Sequence, residues 1–158
     1  MTYELRLREI EEDDLEAFFE HEQDPISIEM AAFTADDPSD REAFLDRWTR
    51  IFADGNIVGR TILVDDAVVG SILVHNWFGD PEVTYWIDRD HWGKGVATSA
   101  LAEFLEIVEL RPLYARVAFD NHGSRRVLEK CGFVVTGSER GHANARAEEI
   151  EELVLTLD

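Results

Sequence analysis

Polar and apolar residues alternate from Glu4 to Arg8 with Leu5 and Leu7 on one side, the period of a half-buried strand. The period then lengthens. Leu15, Phe18 and Phe19 form the apolar side of a helix that Asp13 or Asp14 can cap, with Glu16 three residues after Asp13 in capping-box register. Asp24-Pro25 ends that helix, and residues 25 to 38, which carry Pro25, Met30, Phe33 and Pro38, read as an irregular or briefly helical segment lying over a groove. Ser39-Asp40-Arg41-Glu42 spells a full capping box ahead of Phe44, Leu45, Trp48, Ile51 and Phe52 at helical spacing. Beyond Asp54-Gly55 the period shortens again. Ile57 to Val64 and Val68 to His75 are predicted as a hairpin turning at Asp65-Asp66, and Phe78-Gly79-Asp80-Pro81 leads into a third strand, Glu82 to Ile87.

A long amphipathic helix is predicted from Val96 to Leu110, with Val96, Ala97, Ala100, Leu101, Phe104, Leu105 and Val108 on one side and Arg111-Pro112 as its stop. Leu113 to Phe119 is again a strand, and strand, helix, strand within about 30 residues implies a right-handed parallel crossover. Asn121-His122-Gly123-Ser124 opens a short helix with Val127, Leu128 and Cys131 inward, closed by Gly132. Phe133 to Ser138 and Glu152 to Leu157 are the last two strands, separated by the polar segment Glu139 to Glu149. The order β-α-α-β-β-β-α-β-α-β-β describes an α/β (α+β) fold in one domain, residues 1–158: a mixed, mostly antiparallel sheet of about seven strands flanked by four helices.

A chain of 158 residues can bury a full core without a disulfide or metal staple. Cys131 is the only cysteine and has no partner within the chain; on the apolar side of a short helix it reads as a packed residue, and with no secretory segment ahead of the fold the expected location is cytoplasmic. No apolar run approaches the roughly 20 residues of a membrane span. The five histidines show no metal-ligand spacing, so no metal is expected. A net charge of −19 disfavours nucleic acid and favours cationic partners. Its distribution is uneven: residues 89 to 132 hold seven basic and six acidic side chains, leaving eight basic and 28 acidic elsewhere.

That less acidic stretch contains Trp92-Gly93-Lys94-Gly95-Val96-Ala97, a glycine turn between the third hairpin strand and the long helix. Glycines open backbone conformations closed to other residues, and a helix N-terminus presents unpaired N–H groups and partial positive charge, a natural phosphate site. A plain tight turn fits the same spacing. About thirty residues on stands Asn121-x-x-Ser124-Arg125-Arg126-Val127-Leu128-Glu129-Lys130-Cys131-Gly132-Phe133. Together with Leu5-Arg6-Leu7-Arg8, Asp13-Asp14-Leu15 and Val69-Gly70-Ser71, these stretches resemble the GNAT N-acetyltransferase superfamily, in particular its ribosomal-protein N-acetyltransferase-like branch, over essentially the whole chain.

The resemblance implies a GNAT-like fold and an acyltransferase that uses acetyl-CoA to acetylate a primary amine, either as a monomer or as a homodimer. In that case the amides of Gly93, Lys94, Gly95, Val96, Ala97 and Thr98 would hold pyrophosphate, with Lys94 and Arg89 attracting it, and pantetheine would lie beside Trp86, Ile87 and Asp88. The chain departs from the wider family at Trp92, where Gln or Arg is usual, and at Leu128, where many members carry a tyrosine acid.

Such a reaction needs a neutral amine, a donor to the thioester oxygen and a proton for the thiolate. Deprotonating a lysine at pH 7 costs about 4 to 5 kcal/mol and an α-amine about 1, so a weak base suffices for a protein N-terminus. Glu82 is the first candidate base, its alternative being a solvated turn carboxylate; Tyr85, two residues on, is a second proton carrier or a core aromatic. Ser124 could protonate the thiolate in place of the missing tyrosine, or serve only to start its helix. Asn121 would orient the ligand or cap. The oxyanion donor is expected to be a strand amide near Trp86 or Ile87, and Phe33, Trp48, Trp77 and Phe78 are candidates for the acceptor groove. The preferred acceptor is a protein N-terminal α-amine; a polyamine, amino sugar or antibiotic, and a non-catalytic acyl-CoA sensor, are the alternatives.

Overall fold

The computed structural model describes residues 2–158. Seven strands form one sheet: β1 (Leu5–Arg8), β2 (Val58–Val64), β3 (Ala67–His75), β4 (Glu82–Ile87), β5 (Leu113–Ala118), β6 (Val134–Ala143) and β7 (Glu148–Leu157), in the spatial order β1-β2-β3-β4-β5-β7-β6. All neighbours pair antiparallel except β4 and β5. Among the described residues that parallel ladder is reduced to one pairing, Glu82 with Tyr114. Beyond it the two strands splay, and the gap between them carries the site.

Five helices flank the sheet, one more than expected: α1 (Leu15–His21), α2 (Pro25–Ala31), α3 (Arg41–Ala53), α4 (Val96–Ile107) and α5 (His122–Lys130). The extra one is α2, which makes the segment expected to be irregular or briefly helical a helix of seven residues. Pro25, read as a stop, is instead its first residue, a position where proline's missing N–H costs nothing, and Asp24 caps it by accepting from Ser27 N–H.

Both expected capping boxes are displaced. At α3 the cap is Asp40, which accepts from Ala43 N–H, while Ser39 Oγ donates to Asp37. Before α1, Glu12–Asp14 form a 3-10 turn, and Asp14 turns inward rather than capping: Arg8 donates to both its oxygens at 2.8 Å, and Glu11 N–H and the Thr61 hydroxyl donate to Oδ2. Burial opposes the Asp14 charge, and these donors more than offset it, holding the carboxyl below its ordinary range.

Helix α4 ends at Ile107, three residues short of the expected Leu110. Val108 turns extended to bury its side chain, and the Arg111 guanidinium takes the carbonyls of Val108 and Leu110. The polar segment Glu139 to Glu149, expected to separate the last two strands, is itself mostly strand, because β6 is an edge strand whose side chains face water. Only its tip, Asn144 to Ala147, is a turn.

The sheet is covered on both faces over β2 and β3. On one face Val96, Ala100, Leu101 and Phe104 of α4 and Leu128 of α5 pack onto Ile72, Val74, Val83, Ile87, Leu113 and Leu155. On the other, Phe18 and Phe19 of α1 interlock with Phe44 and Trp48 of α3 above Leu73. Trp48 is thus core and lies away from the groove. At Gly70 the sheet is tight enough that a Cβ would meet the Trp86 carbonyl at 2.1 Å, so only glycine fits between β3 and β4 there. Among the described residues no helix is long and apolar enough to cross a membrane.

Candidate functional site

The glycine turn between β4 and α4 adopts the conformation that its two glycines allow, with φ of +74° at Gly93 and +79° at Gly95. Two contacts brace it: Trp92 Nε1 donates to the Ile87 carbonyl at 3.0 Å, and the Tyr3 hydroxyl donates to the Lys94 carbonyl at 2.9 Å. The first helical bond of α4 runs from Ser99 N–H to Gly95 O, and among the described residues the amides from Gly93 to Thr98 find no protein acceptor. They border a cavity of about 540 Å³ whose walls are the ends of β4, the start of α4, one side of α5 and, from α2, Ser27, Met30 and Ala31. No carboxylate lines this cavity, although the chain carries 34; its ionisable lining is His91, Tyr85, Arg126 and Lys130.

On the opposite face, where β4, β5 and β7 are left uncovered by α1 and α3, lies a second cavity of about 760 Å³. Its lining has a different character, with Glu22, Glu82, Glu139 and Glu152 against Arg47 and Arg116. Glu82 is buried, not a solvated turn residue: Arg116 Nε donates to Oε1 at 2.9 Å, and His75 Nε2 stands 3.6 Å from Oε2. His75 accepts from Trp77 N–H at Nδ1, which leaves its proton on Nε2, facing Glu82. Burial keeps His75 neutral, its pKa pushed down to about 4. Burial also raises Glu82 above the ordinary carboxylate range; Arg116 opposes the rise, and Glu152 and Glu139 add to it. Arg116 extends the network to Glu139 at 2.6 Å and Glu152 at 3.5 Å. Trp77 and Phe78, both exposed, rim the groove, with Trp77 stacked on His75 at 3.9 Å.

The two cavities meet in the splay between β4 and β5, sharing Ala31, Tyr85, Trp86, Asn121 and Ser124. The Tyr85 hydroxyl and Ser124 Oγ are 2.7 Å apart at this junction. Burial, only partly offset by the Ser124 hydrogen bond, pushes the Tyr85 pKa up to about 12, so both hydroxyls keep their protons at neutral pH. Asn121 is the N-cap of α5, its Oδ1 accepting from Ser124 N–H at 3.2 Å. The same residue that starts the helix therefore holds Ser124 at the junction.

The structure thus brings Tyr85, Ser124, Asn121 and Trp86 to one place and sets Glu82 within the second cavity. Ile87, Gly93, Gly95, Val96, Ala97 and Thr98 line the first cavity, as Phe33, Trp77 and Phe78 line the second. The Asp88 and Lys94 side chains belong to neither wall: Asp88 caps the 3-10 turn Arg89–His91, and Arg89 is spent on Asp24 at 2.8 Å. The cations that face the first cavity are Arg126 and Lys130, one helical turn apart on α5, a spacing legible in the sequence. Leu128 is fully buried in the core, so its position offers the cavity nothing; the second hydroxyl comes from β4 instead. Cys131 donates to the Thr98 carbonyl, and burial raises its pKa, the behaviour of a packed thiol.

These features coincide with a known family. Residues 4–134 match the acetyltransferase (GNAT) domain, and the chain belongs to that family. A candidate ribosomal N-acetyltransferase of Bacillus subtilis (strain 168), YdaF, is 33% identical over 119 residues, which make up 68% of this chain and 65% of that protein. An uncharacterized N-acetyltransferase of Bacillus licheniformis, p20, is 24% identical across 99% of this chain and 93% of its own. Among solved structures, a candidate phosphinothricin N-acetyltransferase superposes with a TM-score of 0.80 at 25% identity, covering 98% of each chain.

Proposed function

We propose that this protein transfers the acetyl group of acetyl-CoA to a primary amine by direct attack, with the α-amine of a protein N-terminus as preferred acceptor. One observation carries the proposal: a row of unpartnered amides at the head of α4, in a cavity free of carboxylates, opens through a shared hydroxyl pair onto a groove rich in them. The first surface suits a phosphorylated anion and the second a cation. The Gly93 to Thr98 amides would take the pyrophosphate, with Arg126 and Lys130 beside it, and Trp86, Ile87 and Asn121 would border the pantetheine arm.

Acetyl-CoA supplies an electrophilic thioester carbon and a thiolate leaving group. Glu82, directly or through a water, takes the proton of the incoming ammonium. An amide of Trp86 or Ile87 donates to the carbonyl oxygen while the C–N bond forms and the C–S bond breaks. Ser124 gives its proton to the departing sulfur and recovers one from Tyr85, which is replenished from solvent in the groove. A buried carboxylate of raised pKa suits an α-amine, whose deprotonation costs only about 1 kcal/mol at pH 7. The single cysteine, kept as a packed thiol, accords with a cytoplasmic setting.

The four carboxylates of the groove also favour a small polyamine, amino sugar or antibiotic, and the same experiment separates these acceptors. Acetyl-CoA binding is measured by calorimetry at low salt, and thiol release is followed across N-terminal peptides, polyamines and aminoglycosides. Absence of binding would sink the donor assignment. Binding without thiol release from any acceptor would leave an acyl-CoA sensor.

A further inference from the structure

Helix α2 walls both cavities, as β4 and α5 also do, and its two ends are held by separate contacts that the chemistry does not use. At its N-terminal end Asp24 Oδ2 accepts from the Ser27 amide and hydroxyl, each at 2.9 Å, and pairs with Arg89 Nε at 2.8 Å. This pin ties α2 to the turn that follows β4, beside Ser27 and Met30 on the donor side.

The C-terminal end is held from across the fold by the tip of the β6–β7 hairpin. Arg146, whose side chain is 11% exposed, directs Nη1 and Nη2 to the two Asp120 oxygens at 2.6 and 2.9 Å and directs Nε and Nη2 to the Glu29 carbonyl at 3.1 and 3.0 Å. Its neighbours continue the latch: Ala145 N–H donates to the Ala32 carbonyl at 3.1 Å and Asn144 Nδ2 to the Thr34 carbonyl at 2.8 Å. Between these bonds Ala32 sits fully buried at φ +64° and ψ −55°, in a three-residue turn closed by Phe33 N–H to the Ala31 carbonyl at 2.7 Å. That conformation is strained for an L-residue and persists only where the surroundings impose it. Downstream of it Phe33, Thr34 and Ala35 line the acceptor groove and not the donor cavity.

We propose that Arg146 is a positioning residue for the acceptor: its fork, joined to Asp120 and Glu29, sets the wall formed by Phe33, Thr34 and Ala35, while the Asp24–Arg89 pin sets the donor side independently. The proposal rests on the acyl-transfer reading above. An acceptor that extends beyond its amine, such as a peptide, meets this wall; a donor held at the head of α4 does not.

The test compares Arg146→Lys, which keeps the charge and loses the fork, with Asp24→Asn, using the peptide or polyamine that wild type turns over fastest. Losing charged hydrogen bonds of this kind corresponds to about tenfold. Arg146→Lys is expected to raise the acceptor KM by about that factor, with kcat and the calorimetric Kd for acetyl-CoA within about twofold of wild type. Asp24→Asn is expected to do the reverse, weakening acetyl-CoA and sparing the acceptor KM. An Arg146→Lys enzyme with an unchanged acceptor KM, or with donor and acceptor weakened by one common factor, overturns the proposal, since a merely structural latch would not discriminate. Should that variant not fold, Asn144→Ala decides: it removes one bond of the same latch and must raise the acceptor KM alone. A wild-type protein that releases no thiol from any acceptor overturns the acyl-transfer reading and this proposal with it, whereas active wild type with an insensitive latch overturns only the latter.

Discussion

Ser124 and Tyr85 come to one point from different elements, the first turn of α5 and the middle of β4, and among the described residues the two side chains bond only to each other and, from the Tyr85 hydroxyl at 3.4 Å, to the Ser124 carbonyl. If Ser124 protonates the thiolate and Tyr85 resupplies it, each loss should lower kcat in the range of general acid catalysis, by about 10² for Ser124→Ala and about tenfold for Tyr85→Phe. The double variant should fall no further than Ser124→Ala alone, because the two act in series. Thiol-release rates for the four proteins check this; losses that multiply would mean independent roles. Glu82 is tested through pH. Burial first, then Glu152 and Glu139, raise its pKa over the opposition of Arg116, and a base must be ionised to act. Activity should therefore be lost as pH falls through a value above the ordinary 4.5, and Glu82→Gln should abolish that limb while lowering the plateau by about 10². A kcat/KM profile with the limb intact in Glu82→Gln would remove Glu82 as base.

At the scale of elements, α4 and its glycine turn depend on left-handed backbone at Gly95, where the nearest heavy atom to an added Cβ is the Tyr3 hydroxyl at 3.8 Å. Space is therefore no obstacle to Gly95→Ala, and the penalty is conformational, about 1 kcal/mol for an L-residue with positive φ. Calorimetry should find a roughly tenfold weaker acetyl-CoA, with the melting temperature lowered by only a few degrees; unaltered binding would mean that the turn's shape does not serve the donor. This turn was legible because glycines, strand and helix follow one another within a few residues. The seven strands and the order of the elements were legible for the same reason, since alternation and helical spacing are local. What escaped the sequence was set at a distance. Asp14 looked like a cap until Arg8 and Thr61 claimed it, and Arg89 looked like a phosphate ligand until Asp24 did. Glu139 to Glu149 reads as a polar separator between strands because an edge strand exposes both faces to water. Tyr85 and Ser124, 39 residues apart, read in the sequence as two separate candidates, and only the splay of β4 from β5 joins them.

For the whole molecule, the net charge of −19 acts differently on the two substrates that the site is proposed to take. A cationic acceptor is drawn by the summed surface charge and by Glu22, Glu82, Glu139 and Glu152 in its groove. That attraction reaches over a Debye length, about 10 Å at 0.1 M salt, and is weakened by added ions. On the proposed reading the anionic donor would be repelled at the same range and held at short range, by amides from Gly93 to Thr98 and by Arg126 and Lys130 in a cavity without carboxylates. Salt screens the repulsion more than it screens hydrogen bonds to backbone. Raising the ionic strength from about 0.02 to about 0.2 M should therefore increase the KM of a cationic acceptor by about three- to tenfold while the acetyl-CoA Kd holds steady or tightens. Steady-state kinetics and calorimetry across a salt series measure the two responses separately. Parallel weakening of both substrates would show that exposed cations dominate donor binding, and that the lack of carboxylates around the first cavity does not govern which partner each side accepts.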